Sequence, residues 1–188
     1  MPDQLSFADF APARLPRPPG QIYFALFPDV PAAALCGLML RQMQREAGLR
    51  GGGMDGRFHV SLQGIGESSE LTDELVEEAK AAAATVASAP FAVRFDRIAT
   101  FGRNAVVLRG PEHEAPVRAF FAGLGAALAR VPRLRRARWT LAPHLTLIYA
   151  DRPLPERQVE PIGWTVRDFV LVRSHHGHEV LDRWSLRD

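Results

Sequence analysis

The chain of 188 residues is 47% apolar, carries a formal net charge of +2 and has one cysteine, Cys36. Such a chain fits one domain, or one domain of two lobes, and its apolar share excludes a disordered polymer. No apolar run approaches the roughly 20 residues that a bilayer span requires, and a lone cysteine excludes an intrachain disulfide.

Residues 1–20 hold Pro12, Pro16, Pro18, Pro19 and Gly20 and read as an extended arm before a domain over 21–188. The opening Met1-Pro2-Asp3-Gln4 lacks the basic stretch and apolar core of a secretory signal, so a reducing cytoplasm is the expected compartment. Gln21 to Phe27 is an aromatic and β-branched run closed by Pro28, a first strand. Pro31 to Gly48 has helical periodicity through Leu35, Leu38, Met39 and Met43, and Cys36 on it is expected to be a buried small hydrophobe. Gly51-Gly52-Gly53 has no Gly-Lys-Ser/Thr after it and is read as a flexible loop, not a phosphate cradle.

Phe58 to Ile65 reads as a strand. Ser69 opens a helix with an acidic first half, from Glu70 through Asp73 and Glu74 to Glu78, that Pro90 stops. Phe91 to Thr100 alternates as a half-buried strand, and Gly102-Arg103-Asn104 turns the chain into a second one, Asn104 to Leu108. Ala115 to Arg130 reads as a helix and Leu141 to Tyr149 as a strand. Trp164 to Arg173 alternates as one strand, and His178 to Leu186 pairs with it across Ser174 to Gly177.

The charge is uneven. Residues 1–94 have a net charge of −3 and residues 95–188 a net charge of +5. The basic side chains are arginines except Lys80, a bias that the abundance of Ala, Gly and Pro assigns to genome composition. The cluster Arg130, Arg133, Arg135, Arg136 and Arg138 is notable because it lies just ahead of the Leu141 to Tyr149 strand.

Two tripeptides recur, each in a strand-like run: His59-Val60-Ser61 and His144-Leu145-Thr146. Side chains two apart on a strand share a face. Each segment therefore presents an imidazole and a hydroxyl together, with Val60, Leu62, Leu145 and Leu147 turned to the core. Two such pairs supply a proton donor, a proton acceptor and two hydrogen-bond donors for a phosphate, a set suited to phosphoester chemistry without a metal.

With these motifs 85 residues apart, the chain resembles the 2H phosphoesterase superfamily, and within it the bacterial RNA 2′,3′-cyclic phosphodiesterases, also labelled 2′-5′ RNA ligase-like. The first motif extends as His59-Val60-Ser61-Leu62-Gln63-Gly64-Ile65-Gly66-Glu67. Gln21 to Pro28 and Phe169 to Ser174 are similar to the family's first and late strands. The resemblance implies an α+β fold of two pseudo-symmetric lobes, each an antiparallel sheet backed by helices, around a central groove. It implies His59 as proton donor and His144 as acceptor, with Ser61 and Thr146 holding non-bridging oxygens. It implies opening of a 2′,3′-cyclic phosphate on RNA ends or nucleotides to a 2′-phosphate, with 2′-5′ ligation as the reverse. No metal, cofactor, membrane or obligate protein partner is expected. The family often has an arginine five residues after the second histidine. Tyr149 stands there, leaving Arg152, Arg57 or Arg138 as replacements.

A groove that binds RNA ends or nucleotides without turnover, or one acting on another cyclic or 2′-5′ phosphoester, are the competing readings. His113 is expected in solvent at a helix start. His175, His176 and His178 are read as a plain hairpin turn, from which one could reach the groove rim. Trp139 and Tyr149 flank the second motif strand and are expected to pack in the core, with stacking on a base as the other role.

Overall fold

The computed structural model describes residues 20–110, 114–134, 142–174 and 177–187. Apart from Gly20, the proposed N-terminal arm lies outside them, as do His113, Arg135, Arg136, Arg138, Trp139, His175 and His176. The chain order is β1 (Gln21–Leu26), α1 (Val30–Ala47), β2 (Gly51–Gly53), β3 (Val60–Glu67), α2 (Asp73–Ala83), β4 (Phe91–Phe101), β5 (Ala105–Arg109), α3 (Glu114–Leu128), β6 (Leu145–Ala150), β7 (Arg157–Val166), β8 (Asp168–Ser174) and β9 (His178–Ser185).

Local chemistry sets most of these boundaries. The Asp29 carboxylate caps α1 by accepting from the Ala32 amide at 2.9 Å, and Gly48 ends it at φ 60. The second helix is capped by Thr72 and begins at Asp73, not at Ser69. The Thr72 hydroxyl accepts from the Leu75 amide at 3.3 Å, whereas the Glu70 amide is spent on a turn, donating to the Glu67 carbonyl at 2.9 Å. The same helix ends at Ala83, short of Ala89, because the amides of Thr85 and Val86 tighten to bonds with Ala82 and Ala83.

The strands form one antiparallel sheet in the order β7-β4-β5-β6-β3-β1-β8-β9, with β2 added on β6. It is an α+β fold of two halves, β7-β4-β5-β6 and β3-β1-β8-β9, whose junction among the described residues is the pair Val60 and Leu145. Helix α1 lies against β6 and β7, while α2 and α3 pack on each other and α3 also on β3 and β4. The core between helices and sheet takes alternate strand residues: Ile22, Phe24 and Leu26 from β1, Val60 and Leu62 from β3, Leu145 and Leu147 from β6. Each large side chain buried there is worth about 1.5–3 kcal/mol relative to exposure. Cys36 lies fully inside, and burial pushes its thiol up to about 12.

The sheet differs from the sequence reading at the glycine run and over β7 and β8. The glycine run is a strand, not a loop. A side chain at Gly51 would collide with the Tyr149 carbonyl oxygen, so only glycine lets β2 lie this close to β6. The stretch Trp164 to Arg173 is not one strand: β7 ends at Val166, Arg167 separates the two, and β8 starts at Asp168. The first part of β7 carries Pro161, which is tolerated because β7 is the sheet's edge strand and its pairing with β4 shifts register between Phe95 and Arg97.

Candidate active site

The open face of the sheet is built by the residues that alternate with the core. Strand β1 gives Tyr23 and Ala25, with Phe27 following, and β8 gives Val170 and Val172; these form a small apolar cluster apart from the main core. The two His-x-Ser/Thr segments share that face where the halves meet. Val60 pairs antiparallel with Leu145. In that register His59 stands across from Thr146, and Ser61 across from His144. Directly opposed side chains on an antiparallel pair share a face, with Cβ atoms roughly 4.5–5.5 Å apart. Val60 and Leu145 are both wholly buried on the other side, which fixes the register.

The imidazoles are held alike. Nδ1 of His59 lies 2.8 Å from the Arg57 carbonyl oxygen, and Nδ1 of His144 lies 2.6 Å from the Ala142 carbonyl oxygen. A carbonyl oxygen only accepts, so each Nδ1 carries its proton and donates. Both rings therefore leave Nε2 as the nitrogen that gains or loses a proton. Each ring also rests against an aromatic neighbour: Phe101 lies 4.8 Å from His144 and Tyr23 5.5 Å from His59, centroid to centroid. Of the hydroxyl residues, Thr146 is buried and Ser61 half-buried.

The surroundings of Nε2 differ. On His59 it lies 3.3 Å from the Tyr23 hydroxyl, which is also 3.0 Å from Nε2 of His178. Among the described residues, His144 has no such partner on its Nε2. The His59 and His178 rings meet edge to face at 4.6 Å. Burial holds the His59 pKa below the ordinary histidine value; the bond to the Arg57 carbonyl opposes this, and the charges of His144 and Arg57 add to the lowering. Burial, His59 and Arg57 bring His178 down to about 4. Burial pushes the Tyr23 phenol up to about 12, so it stays protonated.

His178 is thus not a plain turn residue. It is the first residue of β9, across from Ser174 of β8, and it enters the site. Tyr23 was also missed as a site residue. Its trace in the sequence is a hydroxyl-bearing aromatic on the non-core alternation of the first strand.

Among the described residues, Arg57 is the arginine whose charge acts on His59, His178 and Tyr23, and with Phe27, Asp55, Phe58 and His178 it lines a pocket of about 430 Å³. Arg152 is elsewhere, its guanidinium donating to the Ala47 carbonyl at the end of α1. Tyr149 is not in the core; it is 49% exposed on the outward face of β6. Arg133 is bound to Glu78 of α2. No group of three or more His, Cys, Asp or Glu among the described residues could hold a metal ion.

A family model described as the 2′-5′ RNA ligase superfamily matches residues 41–178, from the middle of α1 to the start of β9. The chain belongs to that superfamily. It is a 2H phosphoesterase by descent, with both His-x-Ser/Thr segments inside the matched region. Solved structures share the fold. LigT of E. coli complexed with 3′-AMP superposes at a TM-score of 0.75 and 17% identity, over 90% of this chain and 99% of that one. The protein TT0787 of Thermus thermophilus gives 0.69 and 20%, over 89% and 98%. A structure described as a phosphoesterase gives 0.70 and 19%, over 90% and 99%. No curated protein matches this 2H phosphoesterase. None of the helices among its described residues is long and apolar enough to cross a membrane.

Proposed function

We propose that this protein hydrolyses 2′,3′-cyclic phosphates at RNA ends or on nucleotides to 2′-phosphates, using His59 and His144 as its acid and base. The observation that carries this reading is the cross-strand square His59, Ser61, His144 and Thr146 around the pair Val60–Leu145, with both Nδ1 atoms tied to carbonyls. Each imidazole presents Nε2, and each faces a hydroxyl from the opposite strand.

In the reaction, His144 Nε2 takes a proton from water as the water oxygen bonds to phosphorus. The bond from phosphorus to the 3′ oxygen breaks in line, and His59 Nε2–H protonates that oxygen as it leaves. The Ser61 and Thr146 hydroxyls donate to the non-bridging oxygens as charge builds on them. Burial disfavours the charged form of His59, so the free enzyme under-populates its acid. An anionic phosphate placed beside the ring restores it, since an opposite charge nearby favours the imidazolium. The acid is thereby armed chiefly when substrate is present. Run in the same direction with an RNA 5′ hydroxyl in place of water, the same groups join the 5′ oxygen to phosphorus as the 3′ oxygen leaves, which forms a 2′-5′ linkage.

That LigT is described as complexed with 3′-AMP, ATP and NADP+ supports a nucleotide ligand for a groove of this shape. The pocket beside Arg57 suits it: Phe27 offers an aromatic surface to a base, and the guanidinium offers N–H groups to phosphate oxygens.

The test is turnover on a panel of nucleoside 2′,3′-cyclic phosphates, an RNA with a 2′,3′-cyclic end and 2′-5′ linked dinucleotides. Opening of the cyclic phosphates to the 2′-phosphate alone is the expected result. Tight binding of the panel with no turnover supports instead a groove that holds ends. Turnover confined to 2′-5′ dinucleotides moves the enzyme to another phosphoester.

A further inference from the structure

The Tyr23 hydroxyl has one proton and two imidazole neighbours. It lies 3.3 Å from His59 Nε2 and 3.0 Å from His178 Nε2. With Nδ1–H of His59 committed to the Arg57 carbonyl, two arrangements use both imidazole contacts of Tyr23. When His59 is neutral, its Nε2 accepts from Tyr23, and the Tyr23 oxygen is free to accept from a His178 Nε2–H. When His59 is protonated, its Nε2–H donates to the Tyr23 oxygen, and the Tyr23 O–H turns to the bare Nε2 of a neutral His178, whose own proton then sits on Nδ1. Protonation of His59 therefore reverses the direction of every bond in the chain.

We propose that Tyr23 and His178 are positioning residues that hold the proton of His59: a reversible hydrogen-bond chain that accepts from the imidazolium before substrate arrives and points its Nε2–H into the groove. This rests on His59 being the general acid of the reading above. No carboxylate among the described residues serves this purpose. Among the described residues, the groups that face His59 are Tyr23 of β1, His178 of β9, His144 just before β6 and Arg57 in the loop ahead of β3, and Tyr23 in turn faces Ser174 of β8 and Tyr149 of β6. Arg57 and His144 oppose a positive charge on His59. A tyrosine oxygen becomes a better acceptor once its own O–H donates to another group, and the neutral His178 is placed to accept that hydrogen bond. His178 must stay neutral for this, because a second cation at a ring separation of 4.6 Å would expel the first. Its half-buried seat against Phe27, ring to ring at 6.1 Å, keeps it so.

The experiment has two readouts on the same proteins: the pH profile of kcat on a nucleoside 2′,3′-cyclic phosphate, and the titration of the His59 imidazole nitrogens by NMR without substrate. Removing the hydroxyl in Tyr23→Phe is expected to lower the His59 midpoint by about one pH unit, the size of one charge-assisted hydrogen bond. The descending limb of kcat should move down with it, while KM changes less than about twofold. His178→Leu should move both readouts the same way. His178→Gln, whose amide oxygen can still accept from Tyr23, should restore them. A Tyr23→Phe enzyme that turns over with its descending limb and its His59 midpoint both unmoved overturns the proposal. If no variant turns over any cyclic phosphate, yet the His59 midpoint still falls in Tyr23→Phe and returns in His178→Gln, the hydrolase reading is what has failed and the chain stands.

Discussion

Val60 of β3 and Leu145 of β6 form the only registered pair between the two halves of the sheet among the described residues. Both side chains go to the core, so their neighbours on either side are forced to the open face together. An apolar contact on one face thus fixes a polar square on the other. The square tolerates no slip, because a shift of either strand by one residue would turn that strand's histidine and hydroxyl toward the core.

His59→Ala and His144→Ala are each expected to cost roughly 10²–10⁴-fold in kcat on a cyclic phosphate, the usual range for a general acid or base. The double variant should lose less than the product of the two, since the pair acts as a unit. Circular dichroism and the unfolding midpoint should show an intact fold. Near-normal turnover by both single variants would remove the catalytic assignment.

Ser61→Ala and Thr146→Ala should each reduce kcat by up to about 10²–10³-fold, the range of a lost oxyanion donor. Thr146 is the more buried of the two and stands across from His59. Thr146→Ser, which keeps the hydroxyl, should recover more activity than Thr146→Val, which keeps the shape. Equal activity of those two variants would show that the hydroxyl is not used.

The motifs were legible in the sequence because each is local: three consecutive residues whose alternation separates core from groove. The same holds for α1, whose periodicity and Gly48 stop lie within one stretch, although its Asp29 cap was not read from the sequence. Tyr23 and His178 were not legible as partners. They are 155 positions apart, and only the pairing of β1 with β8 and of β8 with β9 brings them together. Strand β2 was hidden because glycine carries no strand propensity; the requirement that selects it is contact with the Tyr149 backbone. The first part of β7 was hidden by Pro161, a residue that argues against a central strand and is allowed at this edge.

Arg57→Ala should raise KM for an anionic substrate more than it lowers kcat, since a guanidinium that holds phosphate acts on the ground state and the transition state alike. Tyr149→Arg in the same chain should recover part of the loss, because Tyr149 is exposed on β6 and its charge state is felt at Tyr23. A kcat loss at constant KM would instead place Arg57 in the chemistry.

Turnover should be undiminished in excess chelator. The proposed reaction takes its acid and base from imidazoles and its anion contacts from hydroxyls and Arg57, so each step has a protein group assigned to it. Full loss of activity in chelator, restored by one divalent cation, would require a different mechanism.

The buried imidazoles also tie stability to pH. His59 and His178 both have folded-state pKa values below the ordinary value of 6.5, the latter down to about 4. Between those two pH values the unfolded chain binds protons at His178 that the folded chain refuses. Stability therefore falls as pH falls, beginning near 6.5 and continuing to about 4, below which this contribution is exhausted. His178→Asn cannot take up that proton. Urea melts of the two proteins at intervals across this window should show a shallower decline for the variant, with the curves converging in slope above the ordinary histidine range. Parallel curves throughout the window would mean that His178 takes up its proton as readily in the folded protein as in the unfolded chain.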